Sequence, residues 1–277
     1  MSRRSPRFNS PLLPLPAPEA VDPEALFRSW EAGQTEMVCV CGPTASGKTR
    51  CAVSLARAFN ALAGGACAEI LSVDSRQVYR GMDIGSGKDR SEYGEIPVHL
   101  LDIVDAGETY NVYRYVQDFN RVREAVRRRG GLPVLCGGSG LYIRAATEGY
   151  FSAGHPDRVF HIGTVISREL RNELIDKRLD ERLAGGMLEE VRRLLEKGVP
   201  REALLGYGLE YRYVTLYLEG GLSYADMRRQ LGDAIHRFAK RQMTWLRGME
   251  RAGIRIHWTD PGALCRTCND LCERYSR

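Results

Sequence analysis

Short apolar runs alternate with longer amphipathic stretches over the first half of the chain. Met37–Cys41 is a continuous apolar run that ends in a glycine turn, and such runs are typical of strands buried on both faces. From Lys48 to about Ala63 the apolar residues share one helix face, and Gly64-Gly65 ends the pattern. The alternation continues with predicted strands at 69–73, 98–104, 132–136 and 159–166 and predicted helices at 112–129 and 140–147.

This repeated strand–loop–helix order predicts an α/β fold, in which a parallel sheet is flanked by helices. The C-terminal part is expected to be mostly helical, with helices at 168–183, 187–197, near 205–218 and at 224–248, before a short strand at 254–258. The expected organisation is a flexible N-terminal extension over 1–36, a core over 37–260 with a helical basic part at 167–250, and a loose C-terminal tail over 261–277.

Composition and charge narrow the classes of function. The net charge of +5 permits an anionic partner without requiring nucleic acid. No apolar run approaches the roughly 20 residues that span a bilayer, and prolines interrupt the apolar stretch at 11–16, so we expect neither a membrane segment nor a secretory signal. The eight cysteines do not form a disulfide framework, which favours a cytoplasmic protein.

Three cysteines lie close together near the C-terminus, at Cys265, Cys268 and Cys272. A structural zinc site needs four ligands, and only His257 is near enough in sequence to be the fourth. Free thiols are therefore the favoured interpretation, with zinc binding as the minor alternative.

The segment between the first predicted strand and helix reads Gly42-Pro43-Thr44-Ala45-Ser46-Gly47-Lys48-Thr49. It matches the pattern G-x-x-x-x-G-K-[ST], in which glycines let the backbone wrap around an anion at a helix N-terminus. Lys48 would add a positive charge, and Thr49 could bind Mg²⁺. These eight residues, called the phosphate loop below, predict a site for pyrophosphate or polyphosphate with magnesium as the cofactor.

The second predicted strand ends at Asp74, and the carboxyl ends of parallel strands open on the same crevice. Asp74 could therefore bind Mg²⁺ or act as a general base, or it could simply cap a helix. The strand at 132–136 ends instead in Gly137-Gly138, where a nucleotide hydrolase would carry a carboxylate. The sequence therefore lacks, at this position, the carboxylate that hydrolysis of a γ-phosphate would need.

The long C-terminal helix is expected to carry a cationic stripe beside aromatic residues. Arg237, Arg241 and Arg247 fall near one face, and Phe238 and Trp245 share another. This pattern suits contact with phosphate or RNA, although a solvated charged face over an aromatic core face is the commoner explanation.

Taken together, these pieces resemble the tRNA dimethylallyltransferase family, the isopentenyl transferases that modify an adenosine beside the anticodon. The shared strings occur in the family's order and cover the chain from about Met37 to Trp258. They are Gly42–Thr49, Ser72–Gly85, Gly137–Tyr142, Gly186–Val191 and Ala239–Arg247.

The resemblance implies that the loop holds the diphosphate of dimethylallyl diphosphate while N6 of a tRNA adenosine attacks the allylic carbon. It implies that Asp74 accepts a hydrogen bond from the amine, that Thr44 lies near the reacting atoms, and that Arg241 stabilises the leaving pyrophosphate. The implied tRNA contacts are Asp74, Ser75, Arg76, Gln77, Ser139, Lys240, Arg241 and Gln242.

One departure concerns the helical insertion by which family members grip the anticodon arm. Here only a short segment, about 149–157, fills its place. Weak, salt-dependent RNA binding is therefore expected, and three alternatives stay open: prenylation of a free adenine nucleotide, a P-loop small-molecule kinase or NTPase that binds ATP, and an RNA-binding protein without activity. The expected state is a monomer whose partners are dimethylallyl diphosphate and the tRNA anticodon stem-loop.

Overall fold

A parallel sheet forms the centre of the fold in the computed structural model, which describes residues 14–148 and 158–275. Its strands are β1 (Met37–Cys41), β2 (Ala68–Ser72), β4 (Val98–His99), β6 (Leu132–Gly137), β7 (Val159–Thr164) and β8 (Ile256–Thr259), and a separate pair joins β3 (Tyr79–Arg80) to β5 (Val104–Asp105). The order across the sheet is β4-β2-β6-β1-β7-β8, with every pairing parallel. The predicted α/β class is confirmed.

Helices cover both faces of the sheet and form most of the C-terminal part. They are α1 (Pro23–Glu31), α2 (Lys48–Ala63), α3 (Val112–Arg128), α4 (Gly140–Thr147), α5 (Arg168–Ala184), α6 (Met187–Glu196), α7 (Arg201–Gly206), α8 (Leu209–Leu218), α9 (Tyr224–Arg251) and α10 (Pro261–Tyr275). Ser223 caps α9, because its hydroxyl accepts the N–H of Asp226 at 3.1 Å. None of the helices in 14–148 and 158–275 is long and apolar enough to cross a bilayer.

The alternation of side chains along β1 divides the core into two layers. Val38 and Val40 pack with α2 and α10 on one face, whereas Met37, Cys39 and Cys41 pack with α3 and α4 on the other. All five side chains are fully buried. The continuous apolar run thus reflects a central strand covered on both faces, as the sequence predicted.

The single strand predicted over 98–104 is wrong. Its first two residues pair with β2 in the main sheet, whereas Val104–Asp105 pairs with β3 elsewhere. Leu100 and Asp102 between them have φ of 65° and 53°, and a strand cannot continue through left-handed residues. The turn is held because the Asp102 carboxylate binds the ammonium of Lys88, which is buried, and the guanidinium of Arg90.

The N-terminal extension is not flexible throughout, contrary to expectation. Asp22 caps α1 by accepting the N–H groups of Glu24 and Ala25, and a proline begins the helix. Leu26 and Phe27 are buried, and the ring of Phe27 stacks on that of Phe59 in α2. Residues 1–13 lie outside the described residues.

The segment expected as a loose C-terminal tail is the packed helix α10 over Pro261–Tyr275. Cys265 and Cys268 are buried against α2, with the sulfur of Cys265 3.9 Å from that of Cys51. His257, the suggested fourth zinc ligand, instead bonds Glu19 at 2.7 Å and stacks on a phenylalanine. Within the described residues, no group of three or more His, Cys, Asp or Glu side chains is placed to hold a metal ion.

Candidate active site

The phosphate loop follows β1 and leads into the first turn of α2. Gly47 adopts a φ of 80° there, and no side chain caps the helix, so its N-terminal amides face outward for an anion. The Ser46 hydroxyl bonds Thr164 of β7 at 2.6 Å and the carbonyl of Pro43 at 2.8 Å. A Cβ on Gly42 would lie 2.2 Å from the Thr164 hydroxyl. Ser46 and Gly42 therefore fix the loop against β7. The Ser46 hydroxyl is used in these contacts and is not offered to a ligand.

A cleft opens at the carboxyl ends of β1, β2 and β6, as the parallel topology predicts. We call it the main cleft. The polar and aromatic side chains that line it are Thr44, Lys48, Thr49, Asp74, Arg76, Gln77, Ser86, Tyr93, Arg178, Arg182, Glu210, Phe238 and Gln242, with Gly137 and Gly138 beside them. The structure thus brings together the phosphate loop, the Asp74 segment, the Gly137-Gly138 turn and α9.

Asp74 follows β2 and is held by the turn that comes after the strand. One carboxylate oxygen accepts the N–H of Arg76 at 2.9 Å, which fixes the turn after β2. The other has no partner among the residues that the structure describes. The carboxylate is therefore held in place while one oxygen stays available to a ligand in the main cleft.

Lys48 lies at the floor of the main cleft and donates to the carbonyl of Pro43 at 2.9 Å. Burial lowers the pKa of Lys48, and the positive charge of Arg178 acts in the same direction, partly opposed by the negative charge of Asp74. Because crowded cations disfavour one another, an anion bound between Lys48 and Arg178 would be stabilised.

Two of the cleft's cations, Arg178 and Arg182, are not singled out by the sequence patterns above. Burial lowers the pKa of Arg178, and the neighbouring charge of Arg182 adds to the effect. Arg182 lies 3.8 Å from Glu210, whereas Arg178 has no carboxylate partner in the described part of the chain. Their four-residue spacing on α5 was the available signal, since it places both on one helix face.

Gln242 connects three parts of the site. Its side-chain oxygen accepts the N–H of Thr44 at 2.8 Å, and its nitrogen donates to the carbonyl of Gly138 at 2.9 Å. One loop amide is therefore already occupied, and the predicted contact between Gln242 and tRNA stays a prediction. Ser139, beside this turn, accepts the N–H of Ser75 at 3.2 Å, which places both of these predicted tRNA contacts at the rim of the main cleft.

The three arginines of the predicted cationic stripe of α9, at positions 237, 241 and 247, do not line the main cleft. Arg241 does not line it, and the guanidinium lies 5.7 Å from the ring centre of Phe238. Arg76 lies 5.1 Å from the same ring, so two cations flank one aromatic side chain. Lys240 is exposed, and Arg247 forms an ion pair with Glu250 at 2.9 Å. The role of Arg241 at the leaving group stays a prediction.

Glu190 links two of the sequence strings that this chain shares with the family. Its buried carboxylate accepts the N–H groups of Asp83, Ile84 and Gly85 at 2.9, 2.7 and 3.0 Å. It also accepts the hydroxyl of Tyr211 at 2.8 Å. The string Gly186–Val191 thus holds the end of the Ser72–Gly85 string, and both support the wall of the main cleft.

Fold and cleft together define a class of protein, an α/β protein with a phosphate-loop motif between its first core strand and helix. A family model described as IPP transferase matches residues 77–159 and 152–249. The chain belongs to this family.

Curated relatives extend the similarity to most of the chain. The tRNA dimethylallyltransferase 2 of Bacteroides fragilis is 40% identical over 290 aligned residues, which cover 81% of this chain and 92% of the relative. The tRNA dimethylallyltransferase 1 of Parabacteroides distasonis is 41% identical with the same coverage. Because the alignments are longer than this chain, the relatives carry residues that it lacks. The two family-model segments meet at 152–159, close to where the insertion was expected.

Solved structures share the fold. The tRNA isopentenylpyrophosphate transferase of Bacillus halodurans superposes with a TM-score of 0.74, covering 87% of this chain and 98% of that one at 24% identity. A eukaryotic dimethylallyltransferase acting on tRNA gives a TM-score of 0.68 at 18% identity, with 82% and 74% coverage. At these identities the likeness concerns the fold.

Proposed function

We propose that this protein transfers the dimethylallyl group of dimethylallyl diphosphate to N6 of an adenosine beside the anticodon in tRNA. The observation that carries the proposal is the shared cleft, which Lys48, Arg178 and Asp74, with its available oxygen, all line. A cation cluster suits a diphosphate leaving group, and a carboxylate suits the proton of an attacking amine. The curated relatives named tRNA dimethylallyltransferase support this reaction.

The diphosphate would bind at the start of α2. The helix N-terminus, Lys48, Arg178 and Arg182 provide positive charge there, and Arg241 would add to it on closing toward the ligand. Magnesium fits the same place, since Thr49 lines the main cleft and Mg²⁺ in proteins is often held by one or two side chains plus substrate phosphates and water. When bound, it would neutralise charge on the departing pyrophosphate.

The site is open from two sides of the phosphate loop. A second cleft, lined by Ile166, Leu170 and Leu174 among others, shares Lys48, Thr49 and Arg178 with the main cleft. A diphosphate held by these shared side chains would be reachable from one opening, and a nucleobase from the other. This arrangement suits a reaction between two large substrates that approach separately.

The transfer follows from the positions of the groups. A bond forms between N6 of the adenine and the first allylic carbon as the bond from that carbon to the diphosphate oxygen breaks. The proton lost from N6 passes to the carboxylate of Asp74, whose second oxygen stays bonded to the turn at Arg76. Thr44, at the edge of the loop, would face the reacting atoms. The products are the prenylated adenosine and pyrophosphate.

The alternative acceptors and reactions have less support. A kinase or NTPase would need a carboxylate after β6, where Gly137-Gly138 line the main cleft. A free adenine nucleotide bound in the main cleft would leave the exposed Lys240 and Trp245 of α9, which do not line it, without a role in binding.

The direct test incubates the purified protein with dimethylallyl diphosphate, magnesium and an anticodon stem-loop, with AMP and ATP in separate reactions. Mass spectrometry of the digested RNA should show one prenyl group on the target adenosine, and Asp74→Asn should lose at least a hundred-fold in rate. Asp89→Asn, which alters an exposed carboxylate capping a short helical turn, should retain activity. Prenylated AMP with unmodified RNA, or ATP turnover alone, would contradict the proposal.

A cytoplasmic location and a monomeric state complete the proposal. Light scattering after size-exclusion chromatography tests the monomeric state.

The variant Asp74→Ala separates catalysis from RNA binding. It should still bind the stem-loop but should not transfer the dimethylallyl group.

A further inference from the structure

Trp245 is unusually exposed for a tryptophan that the fold holds rigidly. Its side chain is 41% exposed, whereas Trp258 is 4% exposed and donates its indole N–H to Glu250 at 2.8 Å. The indole N–H of Trp245 has no protein acceptor among residues 14–148 and 158–275. A large apolar ring in this setting is not explained by core packing.

The indole is nevertheless fixed in place by close contact with a glycine. An ideal Cβ on Gly140 would lie 2.2 Å from Cδ1 and 2.4 Å from Nε1 of Trp245, so the ring lies directly on the backbone at the start of α4. Any other residue at position 140 would displace it. One side of the ring is thereby covered by backbone, and the exposed part points away from it.

This position lies at the mouth of the main cleft. Gln242, three residues earlier on α9, lines the cleft and bonds Gly138, while Trp245 contacts Gly140. The two side chains therefore follow one another along α9, with Trp245 about 4.5 Å further along the helix axis. Ser139, between the two glycines, bonds Ser75 beside Asp74.

The charges around the cleft mouth suit a polyanion. Arg76 and Arg241 flank Phe238, and Lys240 is exposed on the same helix as Trp245. Cations that follow a phosphate backbone, combined with an exposed rigid ring, are the usual elements of single-stranded nucleic-acid sites. A peptide or lipid partner would not require both the cations and the exposed aromatic ring.

We propose that Trp245 is a base-stacking platform for the nucleotide that adjoins the target adenosine, an inference that rests on the proposed function. To reach Asp74 the target base must leave its stack, and the adjoining base then loses a stacking partner. The indole at the cleft mouth replaces that partner. It thereby positions the RNA in a chain that lacks residues present in its relatives.

The first measurement is tryptophan fluorescence during titration with the anticodon stem-loop. Stacking of a base on the exposed indole should quench the wild-type signal, whereas Trp245→Phe should lose most of that change and still bind RNA. Quenching of equal size in Trp245→Phe would overturn the inference. This measurement requires binding only, so it stands whether or not transfer is observed.

The second measurement compares the steady-state kinetics of Trp245 variants with those of the wild type. Trp245→Ala should raise KM for the stem-loop about ten-fold and leave KM for dimethylallyl diphosphate unchanged, and Trp245→Phe should restore most of the loss. Tyr224→Ala, which removes an aromatic ring that is 47% exposed at the far end of α9, is the matched control. An abasic site at the stacked neighbour should abolish the difference between wild type and Trp245→Ala. An unchanged KM for the stem-loop in Trp245→Ala, with transfer still observed, would refute the stacking platform and leave the proposed function intact. Absence of transfer by the wild type would instead refute the proposed function.

Discussion

The side-chain oxygen of Gln242 accepts the backbone N–H of Thr44 at 2.8 Å, across 198 positions of the chain. Since the same amide also donates to the carbonyl of Gly138, one side chain joins the phosphate loop, the turn after β6 and helix α9. A Cβ on Gly138 would lie 2.5 Å from the amide nitrogen, so the glycine makes room for this link. Gln242 thus positions the loop against the rest of the site.

Replacement of Gln242 should therefore affect the diphosphate before it affects RNA. Gln242→Met keeps the volume but leaves the Thr44 N–H and Gly138 carbonyl unbonded, which should cost about 1–3 kcal/mol of stability and lower kcat. Gln242→Glu places a negative charge beside the diphosphate, so KM for dimethylallyl diphosphate should rise at least ten-fold, about 1.4 kcal/mol. Steady-state kinetics with each substrate varied in turn gives both values.

Thr244→Val is the control on the same helix, because the hydroxyl of the exposed Thr244 bonds the carbonyl of Lys240 within α9. Its kinetic constants should match the wild type. An unchanged KM for dimethylallyl diphosphate in Gln242→Glu would show that this side chain lies far from the bound diphosphate.

Arg178 should contribute strongly to diphosphate affinity, since it faces the main cleft without a carboxylate partner in the described part of the chain. Arg178→Gln should weaken binding of inorganic pyrophosphate with magnesium about 10–100-fold, as expected when a charged hydrogen bond is lost. Calorimetric titration measures this directly. Lys177→Gln, which removes an exposed cation one residue away, should bind pyrophosphate like the wild type. Equal losses in both variants would point to a general charge effect.

Periodicity predicted the central sheet and its site edge because buried parallel strands and glycine turns leave strong local patterns. Met37–Cys41 and the loop after it are where such patterns placed them. The hydrophobic pattern predicts one strand over 98–104. The strand is interrupted because Asp102 binds Lys88 and Arg90, and hydrophobicity does not encode these contacts. Likewise, α1 has an Asp-Pro start signal, but only its contact with Phe59 shows that it is packed.

The site was predictable where a motif carried the chemistry. Asp74 follows a strand and Lys48 follows a glycine loop, so their convergence at one sheet edge was expected from topology. Arg178 could not be found this way, because an arginine on a polar helix face has the same pattern whether it faces solvent or a cleft. Its role depends on how α5 packs beside α9, which is a tertiary property.

Removal of the buried negative charge at Glu190 should destabilise the fold. In Glu190→Gln the amide nitrogen would face backbone N–H groups of residues 83–85, so donors would oppose donors. We expect a loss of about 3 kcal/mol and a Tm lower by roughly 5–10 °C in calorimetry. Glu189→Gln is the neighbouring control, because Glu189 is half exposed and its ion pair with Arg192 is long, at 3.8 Å. A Tm within 1–2 °C of wild type for Glu190→Gln would exclude this supporting role.

His161 should make the protein sensitive to mild acid. Burial lowers the pKa of His161 to about 4, with His257 acting in the same direction and the Val159 carbonyl and Glu148 opposing it. As pH falls below about 6.5 the unfolded chain takes up a proton at this histidine, but the folded chain does not until about pH 4. Protons therefore favour the unfolded state, and stability should fall by about 2 kcal/mol between pH 7 and pH 5 on account of His161 alone.

His161→Phe should remove this part of the pH dependence, because no proton can then bind at position 161. Urea unfolding at pH 7 and pH 5 should show a smaller loss of stability on acidification for His161→Phe than for wild type, by about 2 kcal/mol. Ile162→Val, at the adjacent fully buried position, should lower stability by about 1 kcal/mol equally at both pH values, since nothing titrates there. Equal acid sensitivity in wild type and His161→Phe would mean that the imidazole is already protonated when folded, against the buried neutral state that its position requires.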